Sequence, residues 1–128
     1  MKITVIGCGR WGSCIAWYLD KIGHNVTLYG IAGTPQIEEL LSTRKNSLLS
    51  LPESIRLTTD IKCANSAEVV VISIPSQALA VLSKELCDIG LCGKDIVLCM
   101  KGIEVSTGRR LSQIVTEALG DKNNVAVW

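Results

Sequence analysis

Long apolar runs and excess charge of either sign are both missing from this sequence. No stretch approaches the roughly 20 apolar residues of a membrane helix, and the N-terminus has no signal-peptide-like apolar segment. We therefore expect no membrane partner and a cytoplasmic location. The 13 Lys and Arg residues nearly balance the 12 Asp and Glu residues, giving a net charge of +1. This balance argues against nucleic acid as the main partner, because that role needs a basic surplus on one face.

Histidine is also scarce, and the cysteines lack metal-site spacing. His24 is the only histidine, and no two cysteines form C-x-x-C. We therefore expect no zinc site, and a structural role for His24. Without a secretion signal, we expect all six cysteines to be reduced structural thiols. They are Cys8, Cys14, Cys63, Cys87, Cys92 and Cys99. A reactive Cys8 is the alternative interpretation.

Strand and helix patterns alternate from the N-terminus onward. Lys2–Ile6 is a β-branched run that stops at Gly7, and apolar residues then recur at spacings of three and four. This spacing predicts a helix with an apolar stripe that ends near Gly23. A second strand, Asn25–Gly30, follows at once. A strand, tight turn, helix and strand within about 30 residues is typical of a βαβ unit with a buried parallel sheet.

The same alternation continues over the remaining sequence. Helices are predicted at Pro35–Thr43, from an Asp60 cap to Asn65, after an N-cap at Ser76, and at Leu111–Leu119 before Gly120. Further strands are predicted at Ile55–Thr58, Glu68–Ile74, Asp95–Met100 and Val125–Trp128. The whole pattern predicts an α/β fold with a doubly wound parallel sheet of the Rossmann type and strand order 3-2-1-4-5-6. A length of 128 residues suits one such domain, 1–128.

A glycine motif lies between the first strand and the first helix. Gly7, Gly9 and Gly12 form G-x-G-x-x-G in the strand–turn–helix context that makes this motif specific for dinucleotides. Gly7 permits the tight turn, Gly9 lets a pyrophosphate approach the backbone, and Gly12 lets the helix pack closely on the strand. The N–H groups of the helix start would stabilise the phosphates. A turn that serves packing alone is the alternative.

Several neighbouring residues have two interpretations each. Trp11 lines the cofactor crevice or belongs to the core, and periodicity favours the core. Arg10 pairs with phosphate or is simply solvated. After the second strand there is neither the carboxylate that holds the ribose hydroxyls of NAD nor the Arg that accepts the 2′-phosphate of NADP. Ile31 stands there and is expected to pack on the adenine. The choice between NAD and NADP therefore stays open.

The ends of the fourth and fifth predicted strands indicate the rest of the site. In doubly wound sheets, ligands bind beyond the carboxyl ends of the strands where the strand order reverses. Pro75 and Lys101 follow these two strands. Lys101 is the one charged side chain placed to reach a substrate, with an ordinary solvated lysine as the alternative. Arg109 and Arg110 are predicted in the first turn of a helix, where a solvated face is favoured over an anionic partner.

These motifs together resemble a known family. The glycine motif G-x-G-x-W-G, the segment I-P-S-Q-A-L at 74–79 and K-G-I-E at 101–104 occur in the order found in the N-terminal domain of NAD(P)-dependent glycerol-3-phosphate dehydrogenase. The similarity extends over nearly the whole chain. It is much more specific than the glycine motif alone. The related alternatives are another β-hydroxyacid or 6-phosphogluconate-type dehydrogenase and a non-catalytic dinucleotide-binding module.

The resemblance implies reversible hydride transfer between a nicotinamide cofactor and dihydroxyacetone phosphate or sn-glycerol 3-phosphate, in glycerophospholipid precursor synthesis. It places the dinucleotide against five positions, Gly7, Gly9, Arg10, Trp11 and Gly12, and its adenosine half near Ile31. Pro75 is expected to bind the cofactor because of its place after the fourth strand. Lys101 would contact both cofactor and substrate. The family's general-base lysine and a helical substrate domain are expected beyond Trp128, so the chain alone is expected to bind cofactor without appreciable turnover. The full-length protein is expected to be a homodimer.

Two residues depart from the family pattern. Arg10 replaces a small polar residue, and Ile31 stands where many bacterial members have a basic residue. A weaker preference for NADPH is the expected consequence.

Overall fold

A computed structural model describes residues 1–128 as one six-stranded parallel sheet with helices on both faces. The strands are β1 (Lys2–Ile6), β2 (Asn25–Tyr29), β3 (Arg56–Thr58), β4 (Val69–Ile72), β5 (Asp95–Leu98) and β6 (Asn124–Val127). The α-helices are α1 (Arg10–Lys21), α2 (Pro35–Thr43), α3 (Leu79–Asp88) and α4 (Leu111–Leu119). Two 3-10 segments, Ile61–Ser66 and Ser76–Ala78, complete the chain's helical structure.

The strand order β3-β2-β1-β4-β5-β6 confirms the predicted doubly wound topology. β1 pairs in parallel with both β2 and β4, so the chain reverses its direction of travel across the sheet at β1. Ile6 is level with Tyr29 on one side and with Ile72 on the other. The carboxyl ends of these three strands therefore meet at one edge, which is where doubly wound sheets bind their ligands.

The sheet is buried on both faces, which explains its continuous β-branched strands. One apolar cluster joins the sheet to α3 and α4 and includes Ile72, Leu86 and Ile114. The other cluster lies on the opposite face and includes Val5 and Leu28. Each helix contributes an apolar side to one of these layers, because its polar side must face water. None of the helices has both the length and the apolar character needed to span a membrane.

Several predicted element ends are wrong. β4 ends at Ile72 and β5 at Leu98, two residues before the predicted ends in both cases. β1 ends at Ile6, which pairs with Ile72, so β4 has no strand partner on that side beyond Ile72. The apolar residues after β4 nevertheless continue to Ile74. Ser76 does not cap α3, because Ser76–Ala78 forms a separate 3-10 turn that leads into the helix. Asp60 does act as a cap, since its carboxylate accepts from the Lys62 amide.

The predicted apolar stripe of α1 is only partly correct. Trp11, Tyr18 and Ile22 are each more than half exposed. The fully buried residues of this helix are the small ones, Gly12, Ser13 and Ala16. α1 approaches β1 and β2 through these small residues, so the larger apolar side chains are left at its rim. Apolar periodicity alone does not reveal a packing face made of small residues.

Candidate functional site

The glycine turn is built by very close backbone packing. Gly7 has φ of +111°, and a Cβ built there would lie 2.0 Å from Ser73 O, directly after β4. A Cβ on Gly12 would lie 1.8 Å from Gly7 O. The Gly7 amide donates to Tyr29 O at 3.0 Å. The turn therefore needs glycine at positions 7 and 12 to bring α1, β1, β2 and β4 together.

Gly9 differs from the other two glycines because its surroundings are open. A Cβ there would meet nothing within 4 Å, and its φ of −68° is ordinary. Gly9 is the N-cap of α1 and no side chain caps this helix start. The first N–H groups of a helix carry a partial positive charge and lack intrahelical partners. The space above Gly9 is therefore suited to an anion that approaches the backbone closely.

A crevice of about 560 Å³ opens beside this turn at the carboxyl edge of the sheet. Its walls come from the glycine turn, the end of β2, the end of β4 and one side of α3. The lining includes Gly7, Gly9, Tyr29, Ile31, Ser73, Pro75, Ala78, Val81, Leu82 and Glu85. A cavity of about 350 Å³, lined mostly by polar residues, also borders the turn and includes Arg10, Gln36, Glu39, Asn46 and Ser47. An elongated ligand with an apolar base and charged phosphates fits these surroundings.

The structure brings most of the predicted cofactor residues together. Gly7, Gly9, Ile31 and Pro75 line the crevice, and Arg10 lines the polar cavity next to it. Gly12 lies beneath the turn rather than in either cavity. These positions fit a dinucleotide, because Gly9 leaves a cradle that a side chain would fill and the crevice continues from it along α3.

Trp11 does not belong to the core, so the interpretation favoured by periodicity is wrong. Its side chain is 53% exposed and its ring stacks on that of Trp128, with the centroids 5.9 Å apart. Gly12 and Ser13 face the sheet, which turns Trp11 towards solvent at the helix start. The two cavities beside the glycine turn also do not include Trp11 among their lining residues.

Lys101 is exposed and follows β5 by three residues, outside both cavities. The loop that carries it is held by Gln77, a residue that sequence reasoning did not single out. Gln77 Nε2 donates to Ile103 O at 2.9 Å, and Gln77 Oε1 accepts from the Val105 amide at 3.0 Å. One side chain thus satisfies two backbone groups of this loop. Its place in the I-P-S-Q segment was the available signal, but its partners are 26 and 28 residues away.

Arg109 and Arg110 do not lie in the first turn of a helix, because α4 begins only at Leu111. Arg109 is not a freely solvated cation either. Its guanidinium donates to Glu104 Oε1 from Nη2 at 2.9 Å and also pairs with Glu117. Arg110 is the N-cap residue, and its amide donates to Gln113 Oε1. These contacts organise the loop between β5 and α4 and supply the anionic partner of Arg109 from within the chain.

The cysteines are all free, and Cys8 is the one that borders the candidate site. Burial raises the pKa of the Cys8 thiol. The thiol form is therefore favoured, which argues against the reactive alternative. Cys87 and Cys92 are exposed, so the prediction of packed structural cysteines does not hold for them.

The single histidine, His24, accepts from the Met1 amino group at its Nδ1, 3.2 Å away. No three His, Cys, Asp or Glu side chains come together as a metal site.

Glu104 gives the β5–α4 loop a pH-dependent anchor. Its side chain is 11% exposed, and hydrogen bonds from Thr107 and then Arg109 lower the pKa of its carboxyl below the ordinary 4.5. The anchor therefore contributes fully above about pH 4.5 and is lost as pH falls through the lowered pKa. From about pH 5 to about pH 3, we expect the free energy of unfolding to fall more steeply in the parent than in Glu104→Gln.

Urea unfolding at both pH values measures this difference. The control is Glu53→Gln, since the Glu53 side chain is 91% exposed and lies 3.9 Å from Arg44. This control should keep the steep dependence of the parent. An equal slope in the parent and in Glu104→Gln would contradict the assigned role of Glu104.

Comparison with known proteins identifies the family. A family model described as the N-terminus of NAD-dependent glycerol-3-phosphate dehydrogenase matches residues 2–128. The chain belongs to this family. Glycerol-3-phosphate dehydrogenase [NAD(P)+] of Thermoanaerobacter sp. is 40% identical over 99% of the chain, which spans 39% of that relative. The corresponding protein of Fusobacterium nucleatum is 37% identical over 96% of the chain, which spans 38% of it. The chain thus spans about two-fifths of the length of these curated relatives.

Solved structures agree with the fold. Glycerol-3-phosphate dehydrogenase from Coxiella burnetii has a TM-score of 0.86 at 23% identity, over 98% of this chain and 39% of that one. The yeast enzyme, from Saccharomyces cerevisiae, has a TM-score of 0.76 at 25% identity, over 98% of this chain and 41% of that one. The family match thus confirms the resemblance carried by the glycine motif, I-P-S-Q-A-L and K-G-I-E. It also decides against the 6-phosphogluconate-type alternative.

Proposed function

We propose that residues 1–128 form the dinucleotide-binding domain of a glycerol-3-phosphate dehydrogenase, which transfers hydride between NAD(P)H and dihydroxyacetone phosphate or sn-glycerol 3-phosphate. The observation that carries this proposal is the open crevice beside Gly9, where an uncapped helix start faces empty space. Family membership supports the choice of substrate. A homodimeric full-length protein, a cytoplasmic location and a substrate domain outside 1–128 belong to the same proposal.

The chain's own residues would bind and orient the cofactor. Backbone N–H groups at the start of α1 bind the pyrophosphate, and the small size of Gly9 permits their close approach. Ile31 and Pro75 border the crevice, where they exclude water from the base and the nicotinamide half. When bound, the cofactor supplies or accepts the hydride. The protein must hold it in one orientation, because a misplaced ring loses most of the rate.

Lys101 would provide a cation beside the reacting groups. Its ammonium attracts the negatively charged substrate and stabilises negative charge on a substrate oxygen. Gln77 acts on Lys101 indirectly, since it fixes the backbone of Ile103 and Val105 two and four residues further on. The Glu104–Arg109 pair is a second contact that holds the same loop. Three side chains, those of Gln77, Glu104 and Arg109, thus hold one loop in place.

NADPH should bind no more tightly than NADH to this domain. The segment after β2 offers no cation to a 2′-phosphate, and Ile31 stands there with 64% of its surface exposed. Isothermal titration of the 128-residue chain with each cofactor measures the preference. Ile31→Arg should raise the affinity for NADPH relative to NADH by about tenfold, through a charge-assisted pair with the 2′-phosphate.

Leu41→Arg is the matched control, because Leu41 lies in α2 and is also exposed but lines neither cavity. It adds the same charge and should leave the ratio unchanged. A strong preference of the parent chain for NADPH would contradict this part of the proposal, whereas the absence of binding to either cofactor would contradict the proposed function itself.

A further inference from the structure

Exposed aliphatic side chains line part of the crevice and offer an apolar surface to a ligand. Ile31, which follows β2, and Val81, on α3, both line it and are unusually exposed for aliphatic residues, at 64% and 66%. Leu82 continues the α3 wall next to Val81, and Ala78, the N-cap of α3, also lines the crevice. An aromatic base inserted here would bury both exposed aliphatic side chains, which is favourable in water.

Glu85 brings a carboxylate to this otherwise apolar wall. It lies one turn beyond Val81 on the same side of α3 and lines the crevice. No side chain or backbone group donates a hydrogen bond to it, and no cation pairs with it. Tyr29 lines the same crevice, and the pKa of its hydroxyl is raised, first by burial and then by the Glu85 carboxylate. Glu85 thus lines the crevice with a carboxylate that is free to accept a hydrogen bond from a ligand.

We propose that Glu85 accepts a hydrogen bond from the exocyclic amino group of the adenine, so that the crevice selects a 6-aminopurine dinucleotide over its 6-oxopurine counterpart. This inference rests on the proposed function, since it requires a dinucleotide in the crevice. It adds a specificity-determining residue outside the glycine turn. The ionised carboxylate has only acceptor oxygens, and the 6-amino group is a donor.

The same chemistry predicts rejection of the hypoxanthine analogue. A 6-oxo group is an acceptor, so it would place a second electron-rich oxygen against the carboxylate with no proton between them. Sites built to pair with one donor discriminate against an analogue that lacks it, because their own polar group is then left unpaired. An amide at position 85 would remove this discrimination, since it offers both a donor and an acceptor.

The test compares the affinities of NADH and reduced nicotinamide hypoxanthine dinucleotide for the 128-residue chain by isothermal titration. The parent should bind NADH about tenfold more tightly than the analogue, as expected for a hydrogen bond to a charged group. In Glu85→Gln, the two affinities should agree to within about twofold. Glu85 is exposed and unpaired in the chain, so this change removes no internal contact.

Asp88→Asn is the matched control, because it removes one negative charge three residues further along α3, outside the crevice. It should keep the preference of the parent. Equal binding of the two dinucleotides by the parent, a preference that persists in Glu85→Gln, or its loss in Asp88→Asn would each overturn the role of Glu85 while leaving dinucleotide binding intact. No binding of NADH at all would overturn the proposed function and this inference with it.

Discussion

Replacement of Gly12 by alanine is expected to destabilise the protein by about 3 kcal/mol or more. The new methyl carbon would lie 1.8 Å from Gly7 O and 2.9 Å from Gly7 C. Both atoms belong to a backbone turn that is itself packed against Ser73, so neither has room to retreat. Helix propensity alone would favour alanine by about 1 kcal/mol. The expected loss therefore measures how closely α1 packs on the turn.

Urea denaturation followed by circular dichroism gives the free energy of unfolding of each variant. Gly9→Ala is the matched control, because it adds the same methyl group three residues earlier, where a Cβ meets open space. Its cost should stay within about 1 kcal/mol, the usual effect of alanine at an N-cap. If Gly12→Ala were as stable as this control, the packing assigned to Gly12 would be wrong.

Much of the fold could be predicted from the sequence because each element has a strong local signal. The β-branched runs at β1 and β4 are continuous, as required of strands buried on both faces. Helices between them require right-handed crossovers, which leaves few possible strand orders. The glycine motif then indicates which strand is first and where the order reverses. The predicted order was therefore confirmed although several element ends were not.

The packing of α1 shows why periodicity is insufficient near a glycine turn. Apolar spacing selects large side chains, and it placed Trp11 in the core. The helix instead approaches the sheet through Gly12, Ser13 and Ala16, because only small residues allow the distance that Gly7 imposes. Trp11 is consequently exposed at the helix start. These small residues are buried because the backbones of α1 and the glycine turn lie very close together. Apolar spacing in the sequence does not predict that distance.

The contacts around Lys101 were missed for a different reason. Gln77 reaches Ile103 and Val105 across more than 25 residues, and no local pattern records such a pairing. The sequence favours a solvated Arg109, although a predicted position at a helix start, where cations are unfavourable, suggests an anionic partner. In the structure it lies before the helix and pairs with Glu104 and Glu117. The sequence pattern marks the segments that contain Gln77 and Arg109. It does not show which residues they contact, because those contacts depend on how the loops fold.

Replacement of Gly9 by valine is expected to weaken dinucleotide binding about tenfold or more, with little loss of folding. The branched side chain would occupy the space above the α1 start, where the pyrophosphate must approach the N–H groups. The fold should tolerate it, because φ at this position is −68° and a Cβ meets no protein atom within 4 Å. Titration with NADH measures the affinity, and urea unfolding verifies the fold.

The order of effects at this position separates a binding site from a structural turn. Gly9→Ala should weaken NADH binding less than Gly9→Val, because its single methyl group fills less of the space. Lys122→Val places the same side chain at another exposed position outside both cavities and should leave affinity unchanged. Unchanged affinity in Gly9→Val would place the pyrophosphate elsewhere. Folding needs glycine at positions 7 and 12 but not at position 9. A loss of affinity in Gly9→Val therefore indicates a ligand that approaches the backbone at Gly9.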